Sequence, residues 1–125
     1  TPVLRSVERL ELAEIAGLRR DLVERALAGR LKVSEMKGGT ITVSNLGLTR
    51  VRHFTPILNR PQVALLGLGR IETSATPLGS DAIVWRDRMG LSPTVDHRIL
   101  DGEPSGRFLG EVCDLLENFS AGPQL

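Results

Sequence analysis

Asp96-His97-Arg98-Ile99-Leu100-Asp101-Gly102 joins an extended run, Met89 to Val95, to an amphipathic stretch, Glu103 to Phe119. A histidine with one carboxylate beside it and another four residues on is an arrangement that acid–base chemistry uses. Imidazole, with an ordinary pKa of ~6.5, accepts a proton near neutral pH. A carboxylate at one ring nitrogen fixes the tautomer and leaves the other nitrogen free as a base. The same spacing also describes a buried histidine satisfied by a polar network. Spacing alone leaves both readings open.

On the C-terminal side, Phe108, Leu109, Val112, Cys113, Leu115 and Leu116 share one stripe, so Glu103 to Glu117 is expected to be a helix. Pro104 falls early, where helices accept it, and Asp101 is placed to cap the N-terminus. Cys113 sits on the apolar stripe and is expected in the core. On the N-terminal side, Met89 to Val95 is expected to be a strand that delivers His97 to the end of a sheet. Pro93 removes one ladder hydrogen bond and points to an edge or a bulge. Ala82 to Arg88 is the strand before it, preceded by a hairpin connection over Thr73 to Asp81. Gln62 to Ile71 is nearly all apolar and is expected to be a central strand buried on both faces. Its Gly67-Leu68-Gly69 lacks a third glycine and a following helix, which excludes a nucleotide loop.

Thr40-Ile41-Thr42-Val43-Ser44 alternates β-branched residues at period two and is expected to be a further strand. It ends at Asn45-Leu46-Gly47, a turn that Asn45 shapes. A serine in the place of Ser44 ordinarily caps such a turn. Arg50 to Asn59 is expected to be irregular, because Pro56 and Pro61 exclude a continuous helix. Arg50, Arg52, His53 and Arg60 gather basic charge there. No cysteine or second histidine stands at metal-ligand spacing from His53. From Leu10 onward, Leu12, Ile15, Ala16, Leu22, Val23, Ala26 and Leu27 recur at helical spacing over about four to five turns. Arg19, Arg20, Asp21, Glu24 and Arg25 form the opposite, solvated face, and Gly29 is the expected stop. Val33 to Met36 is one short turn before Gly38-Gly39 breaks the chain.

The 125 residues suffice for one domain. Sixteen basic against fifteen acidic side chains leave no field to attract nucleic acid or an anionic membrane. Phe54, Phe108, Phe119 and Trp85 are too few to make a stacking platform for single strands. The lone Cys113 excludes an internal disulfide and fits a reducing cytoplasm. No long apolar run marks a signal peptide or membrane span.

The junction Asp96–Gly102 resembles the DHRxxDG signature of the acyltransferase core of 2-oxo acid dehydrogenase complexes, the family of dihydrolipoyllysine acetyltransferase and, more distantly, chloramphenicol acetyltransferase. Four other stretches agree in order and spacing: Thr1-Pro2-Val3-Leu4-Arg5; the helix after it; Gly38 to Gly47, similar to GGTFTISNLG; and Phe54 to Pro61 with the apolar strand that follows. The resemblance implies an α/β fold, a two-layer sandwich of the chloramphenicol acetyltransferase type with a mixed sheet packed against helices. Residues 1–125 would be the C-terminal portion of that catalytic domain. The N-terminal half that the family's catalytic domain has, its lipoyl domain and its peripheral-subunit-binding domain have no counterpart among these 125 residues.

The resemblance also implies the chemistry. An acyl group, acetyl preferred from the likeness of Phe54 to Ile71 to pyruvate and acetoin enzymes, passes between dihydrolipoyl and coenzyme A. His97 is the expected general base, Ser44 the hydroxyl that meets the oxyanion, and Asp101 the carboxylate beside the histidine. Coenzyme A and the lipoyl group serve as substrates. An arginine of the Arg50–Arg60 cluster could grip nucleotide phosphates, against the plainer reading of a solvated loop. The expected partners are two further copies in a trimer, a larger core built of trimers, and the other subunits of the complex. His97 of one chain would face Ser44 of the next. Leu125 would anchor neighbouring trimers. A non-catalytic structural core, or a truncated piece of such a complex, is the alternative. An antibiotic-type acetyltransferase is disfavoured, because a second histidine usually stands where Asp96 is.

Overall fold

The amphipathic stretch after Leu10 folds as α1, Leu12–Leu27, in a computed structural model that describes residues 1–79 and 82–119. The chain divides into two compact units, Thr1–Thr40 and Ile41–Leu125.

In the first unit, the Glu14 carboxylate accepts the Glu11 backbone N–H at 2.8 Å and closes the start of α1. Gly29 ends the helix as the sequence implies, with φ +66°, a conformation that suits glycine. Leu22 is buried, but Leu12 and Leu27 are not. Arg25, expected on the solvated face, is half-buried. It donates to Asp21 at 2.9 Å and to Glu35 at 2.8 Å. Glu35 belongs to a short 3-10 turn, Val33–Met36, and also accepts the Lys32 N–H. Arg5 donates to the Ser34 and Lys37 carbonyls, both at 3.0 Å, and holds the other side of that turn.

Arg25, with help from the Lys32 N–H, lowers the Glu35 pKa from 4.5 to about 2. A depressed carboxylate contributes stability that is complete above its unfolded pKa and fades as pH falls through the folded one. The clamp is therefore expected to weaken between pH 4.5 and about 2. NMR titration of the Glu35 side chain checks this: a midpoint at the ordinary value would refute the clamp. The Glu35→Gln variant should lose that acid dependence.

In the second unit, β1 (Ile41–Asn45), β2 (Ala64–Leu78) and β3 (Ala82–Val95) form a mixed sheet in the order β1-β2-β3. β1 runs parallel to β2, and β3 antiparallel. Helix α2, Gly102–Glu117, follows and packs on β3. This is the expected mixed-sheet α/β arrangement. Leu65 and Leu66, on opposite faces of β2, are both buried, as a central strand requires.

Two strand limits differ from the sequence reading. β2 does not stop at Ile71 but continues to Leu78, and the runs Ala82 to Arg88 and Met89 to Val95 are one strand. Cross-strand pairing extends the ladder through polar residues: Thr73 donates to Asp87 at 2.6 Å, and Arg88 to Thr76 at 3.0 Å. Pairing is interrupted between Leu68 and Ile71, where Gly69 and Arg70 oppose the single Gly90. Pro93 pairs with Leu66 on the outer strand β3, among the described residues an edge, as anticipated. Asp81 and Leu125, to which the sequence reading gave roles, lie outside the described residues.

The segment from Arg52 to Phe54 crosses the sheet over three glycines. A Cβ at Gly67 would meet the Phe54 ring at 2.9 Å; at Gly69 it would collide with the Arg52 carbonyl, and at Gly90 with that carbonyl and the His53 ring. At Gly69 the obstacle is backbone, which cannot swing away. Gly69→Ala should cost about 1–3 kcal/mol through overpacking. Chemical denaturation checks it, and an unchanged midpoint would mean the crossing segment is loose.

The α2 stripe is only partly covered. Cys113 is half-buried, while Phe108, Leu115 and Leu116 stay exposed, contrary to the core role expected of the stripe. Among the described residues, no helix is long and apolar enough to cross a membrane.

Candidate active site

His97 stands two residues beyond the end of β3, in a turn that Asp96 organises. The Asp96 carbonyl accepts the N–H groups of Ile99 at 2.9 Å and Leu100 at 3.0 Å, and its own N–H reaches the Val63 carbonyl. Its carboxylate accepts the Arg98 backbone N–H at 3.1 Å and Nε at 2.9 Å. Those bonds hold the Asp96 carboxyl far below the usual carboxylate range. Asp96 is thus committed to Arg98, so of the two carboxylates flanking the histidine only Asp101 remains to orient it.

Asp101 occupies the N-cap position of α2, as expected, yet its side chain caps nothing. Its carbonyl makes the first bond of the helix, accepting the N–H of the buried Ser105 at 3.3 Å and its hydroxyl at 2.9 Å. The freed carboxylate lies 3.5 Å from His97 Nδ1. That is long for a hydrogen bond, but catalytic contacts commonly tighten only when substrate binds. The His97 side chain is 75% exposed. Within this chain, then, His97 is not buried in a polar network. With Asp101 at Nδ1, Nε2 is the ring nitrogen left to take a proton.

Ser44 lies on β1, half-buried, in register with Gly67 of β2 and Ser92 of β3. Asn45 beside it shapes the turn as expected: its Oδ1 accepts the Gly47 N–H at 2.7 Å. Ser44 and His97 do not meet within the chain. Val95, the last β3 residue before the turn that carries His97, is three residues, about 10 Å, along the strands from the rank of Ser44, and β3 lies two strand spacings from β1. Of the three expected site residues, the structure brings together His97 and Asp101.

The basic cluster disperses. Arg52 pairs with Glu72 at 2.8 Å, the His53 ring lies on Gly90, and Arg60 lends its charge to Asp96. Two features on the face of Ser44 went unremarked in the sequence. Thr94 carries a buried hydroxyl with no partner, one β3 position pair from Ser92. Arg86 and Arg88 fall on the same face by strand alternation; the period-two spacing within Trp85-Arg86-Asp87-Arg88 was the available signal.

A family model described as 2-oxoacid dehydrogenases acyltransferase (catalytic domain) matches residues 1–121. The chain is 36% identical over 94% of its length to the dihydrolipoyllysine-residue acetyltransferase component of the pyruvate dehydrogenase complex of Acholeplasma laidlawii, covering 21% of that protein. It is 39% identical, again over 94%, to the succinyltransferase component of the 2-oxoglutarate dehydrogenase complex of Azotobacter vinelandii, covering 29% of it. The crystal structure of the dihydrolipoamide acetyltransferase of Azotobacter vinelandii superposes with a TM-score of 0.89 at 35% identity, over 94% of this chain and 48% of that one. The chain thus spans less than a third of these curated relatives and about half of the solved one.

Proposed function

The chain belongs to the acyltransferase catalytic-domain family of the 2-oxoacid dehydrogenases, and from that premise we propose that it moves an acyl group between dihydrolipoyl and coenzyme A. The observation that carries this reading is the exposed His97 ring with Asp101 at Nδ1. Attack by a thiol requires removal of its proton, because the thiolate is the nucleophile. His97 Nε2 takes the proton of the coenzyme A thiol as sulfur attacks the thioester carbonyl of acyl-dihydrolipoyl. Asp101 holds Nδ1–H in place and favours the imidazolium that forms. The carbonyl oxygen becomes an oxyanion and receives the Ser44 hydroxyl hydrogen bond. Collapse breaks the bond to the lipoyl sulfur, which leaves with the proton that His97 returns. No acyl-enzyme is needed.

The separation of Ser44 and His97 within one chain supports an active site shared between copies, and a trimer is the assembly we propose. The hairpin formed by β2 and β3 offers apolar surface for such contact, with Ile71, Ile83 and Trp85 all about two-thirds exposed. The solved relative's structure concerns the roles of a serine, a histidine and an asparagine four residues after that histidine. His97 and Asp101 stand at the same offset, with aspartate in the last place. Relatives named for acetyl and succinyl transfer are nearly equal in likeness, so acetyl is proposed as the acyl group on the likeness of Phe54 to Ile71 alone.

Incubating the full chain with S-acetyldihydrolipoamide and coenzyme A tests the reading. Acetyl-coenzyme A should form in proportion to protein. No thioester above the uncatalysed rate would overturn it.

A further inference from the structure

The segment from Arg52 to Phe54 crosses the sheet on the face that carries Ser44. Ser44, Gly67 and Ser92 stand in one rank across the three strands, so a side chain at Gly67 would lie between the two serines. Glycine leaves that place empty, and the Phe54 ring takes it. A Cβ at Gly67 would meet Cζ of the ring at 2.9 Å, with Cε1 and Cε2 at 3.1 and 3.3 Å, so the ring enters the notch end-on. Two residues back along β2, on the same face, the buried Leu65 closes one side. On the other side the Arg52 carbonyl covers Gly69. Both ends of the crossing segment are held. The bulge opposite Gly90 releases the Arg70 N–H from the ladder, and the Val51 carbonyl accepts it at 2.8 Å. Arg52 pairs with Glu72 at 2.8 Å, and beyond Phe54 the ring of Pro56 is buried.

We propose that Phe54 is a positioning residue for Ser44: its ring fills the notch over Gly67, denies that place to water and leaves the serine hydroxyl free to donate to an oxyanion. The part this plays in acyl transfer rests on the function proposed above; the shielding of Ser44 does not. Ser44 and Ser92 are two strand spacings apart, about 10 Å. A polar notch of that width takes up ordered water, which bridges the hydroxyls on its two sides. A bridged donor must break that bond before it can serve a substrate, whereas a preorganised one need not. The aromatic edge offers the hydroxyl no competing acceptor. It also lowers the local dielectric, which strengthens a hydrogen bond to developing negative charge. Gly67 belongs to the same device, because any Cβ there would lift the ring from the notch.

The test uses the full chain and two readouts, one of them independent of activity. Ser44→Cys places a thiol at the site, and its alkylation by iodoacetamide near neutral pH is followed by mass spectrometry, which separates it from Cys113. An apolar wall keeps a thiol protonated and slow to react. Adding Phe54→Ala should therefore speed alkylation of that thiol about tenfold. An equal rate would overturn the proposal. The second readout is transfer from S-acetyldihydrolipoamide to coenzyme A. Phe54→Ala should lower kcat about tenfold and leave KM for coenzyme A unchanged. Within Ser44→Ala the same change should alter kcat by less than about twofold, because the donor it serves is gone. Equal losses in the two backgrounds would make Phe54 a general support of the fold and overturn the proposal. Thermal midpoints on the same samples identify the variants that fold; Phe54→Leu, which keeps more of the apolar bulk, carries the same comparison with a smaller effect, about threefold. A shielded thiol in a chain whose parent transfers no acyl group would sink the acyltransferase reading and leave the shielding of Ser44 standing.

Discussion

His97→Ala is expected to lower acyl transfer to coenzyme A by about 10²–10⁴ while leaving fold and assembly unchanged. The size of the loss follows from the role: a positioned base removes the proton during attack, and water in an open site substitutes for it poorly. The absence of a structural effect follows from exposure. A ring 75% accessible leaves no cavity when deleted, and the turn around it is held by Asp96 and Arg98 rather than by the imidazole. Transfer assayed through thioester formation, with size and thermal midpoint measured on the same sample, separates the two effects. Full activity in the variant would remove His97 from the mechanism. A loss accompanied by a shifted midpoint or altered size would instead make it a structural residue.

The sequence was most legible where a single local rule decided the outcome. The span of α1 followed from apolar spacing and Gly29, β1 from β-branched alternation, and the turn at Asn45 from its side-chain acceptor. It was least legible where partners distant in the chain decided. Thr73 to Thr76 look like a connection because they are small and polar, yet Asp87 and Arg88 across the ladder make them strand. Arg25 looks solvated on a helical wheel, but Glu35, ten residues on, draws it inward. The α2 stripe announces a buried face; within this chain much of it has nothing to bury against, since periodicity reports an apolar face and not what covers it. For the candidate site, the motif located His97 and Asp101 and their mutual offset. Spacing alone did not tell Asp96 from Asp101 as the partner of the ring; the resemblance named Asp101, and the capture of the first carboxylate by Arg98 is the physical reason it is the one within reach. The relation of Ser44 to His97 was out of reach of spacing altogether, being a matter of strand register.

That register makes the sharpest prediction possible. Ser44→Ala alone should reduce transfer by about 10²–10³, the usual loss for one oxyanion donor. Were Ser44 and His97 to act within a single chain, mixing Ser44→Ala with His97→Ala protein would leave every site defective. Across a cyclic interface the outcome reverses. Each junction pairs the serine of one chain with the histidine of its neighbour, so a mixed assembly contains junctions where both are intact. Co-refolding the two variants in equal amounts should restore activity to about a quarter of the parent's, the share of junctions that random mixing leaves whole. Mixing after folding should give no recovery until subunits exchange, which also reports the stability of the assembly. The offset along the strands is what forces this expectation: the ladder holds Ser44 at the rank of Ser92, and β3 runs three residues, about 10 Å, further to Val95 before the turn that carries His97. Activity no greater than the sum of the two variants after co-refolding would mean that Ser44 is not the partner of His97, and the hydroxyl for the oxyanion would have to be sought elsewhere on the chain.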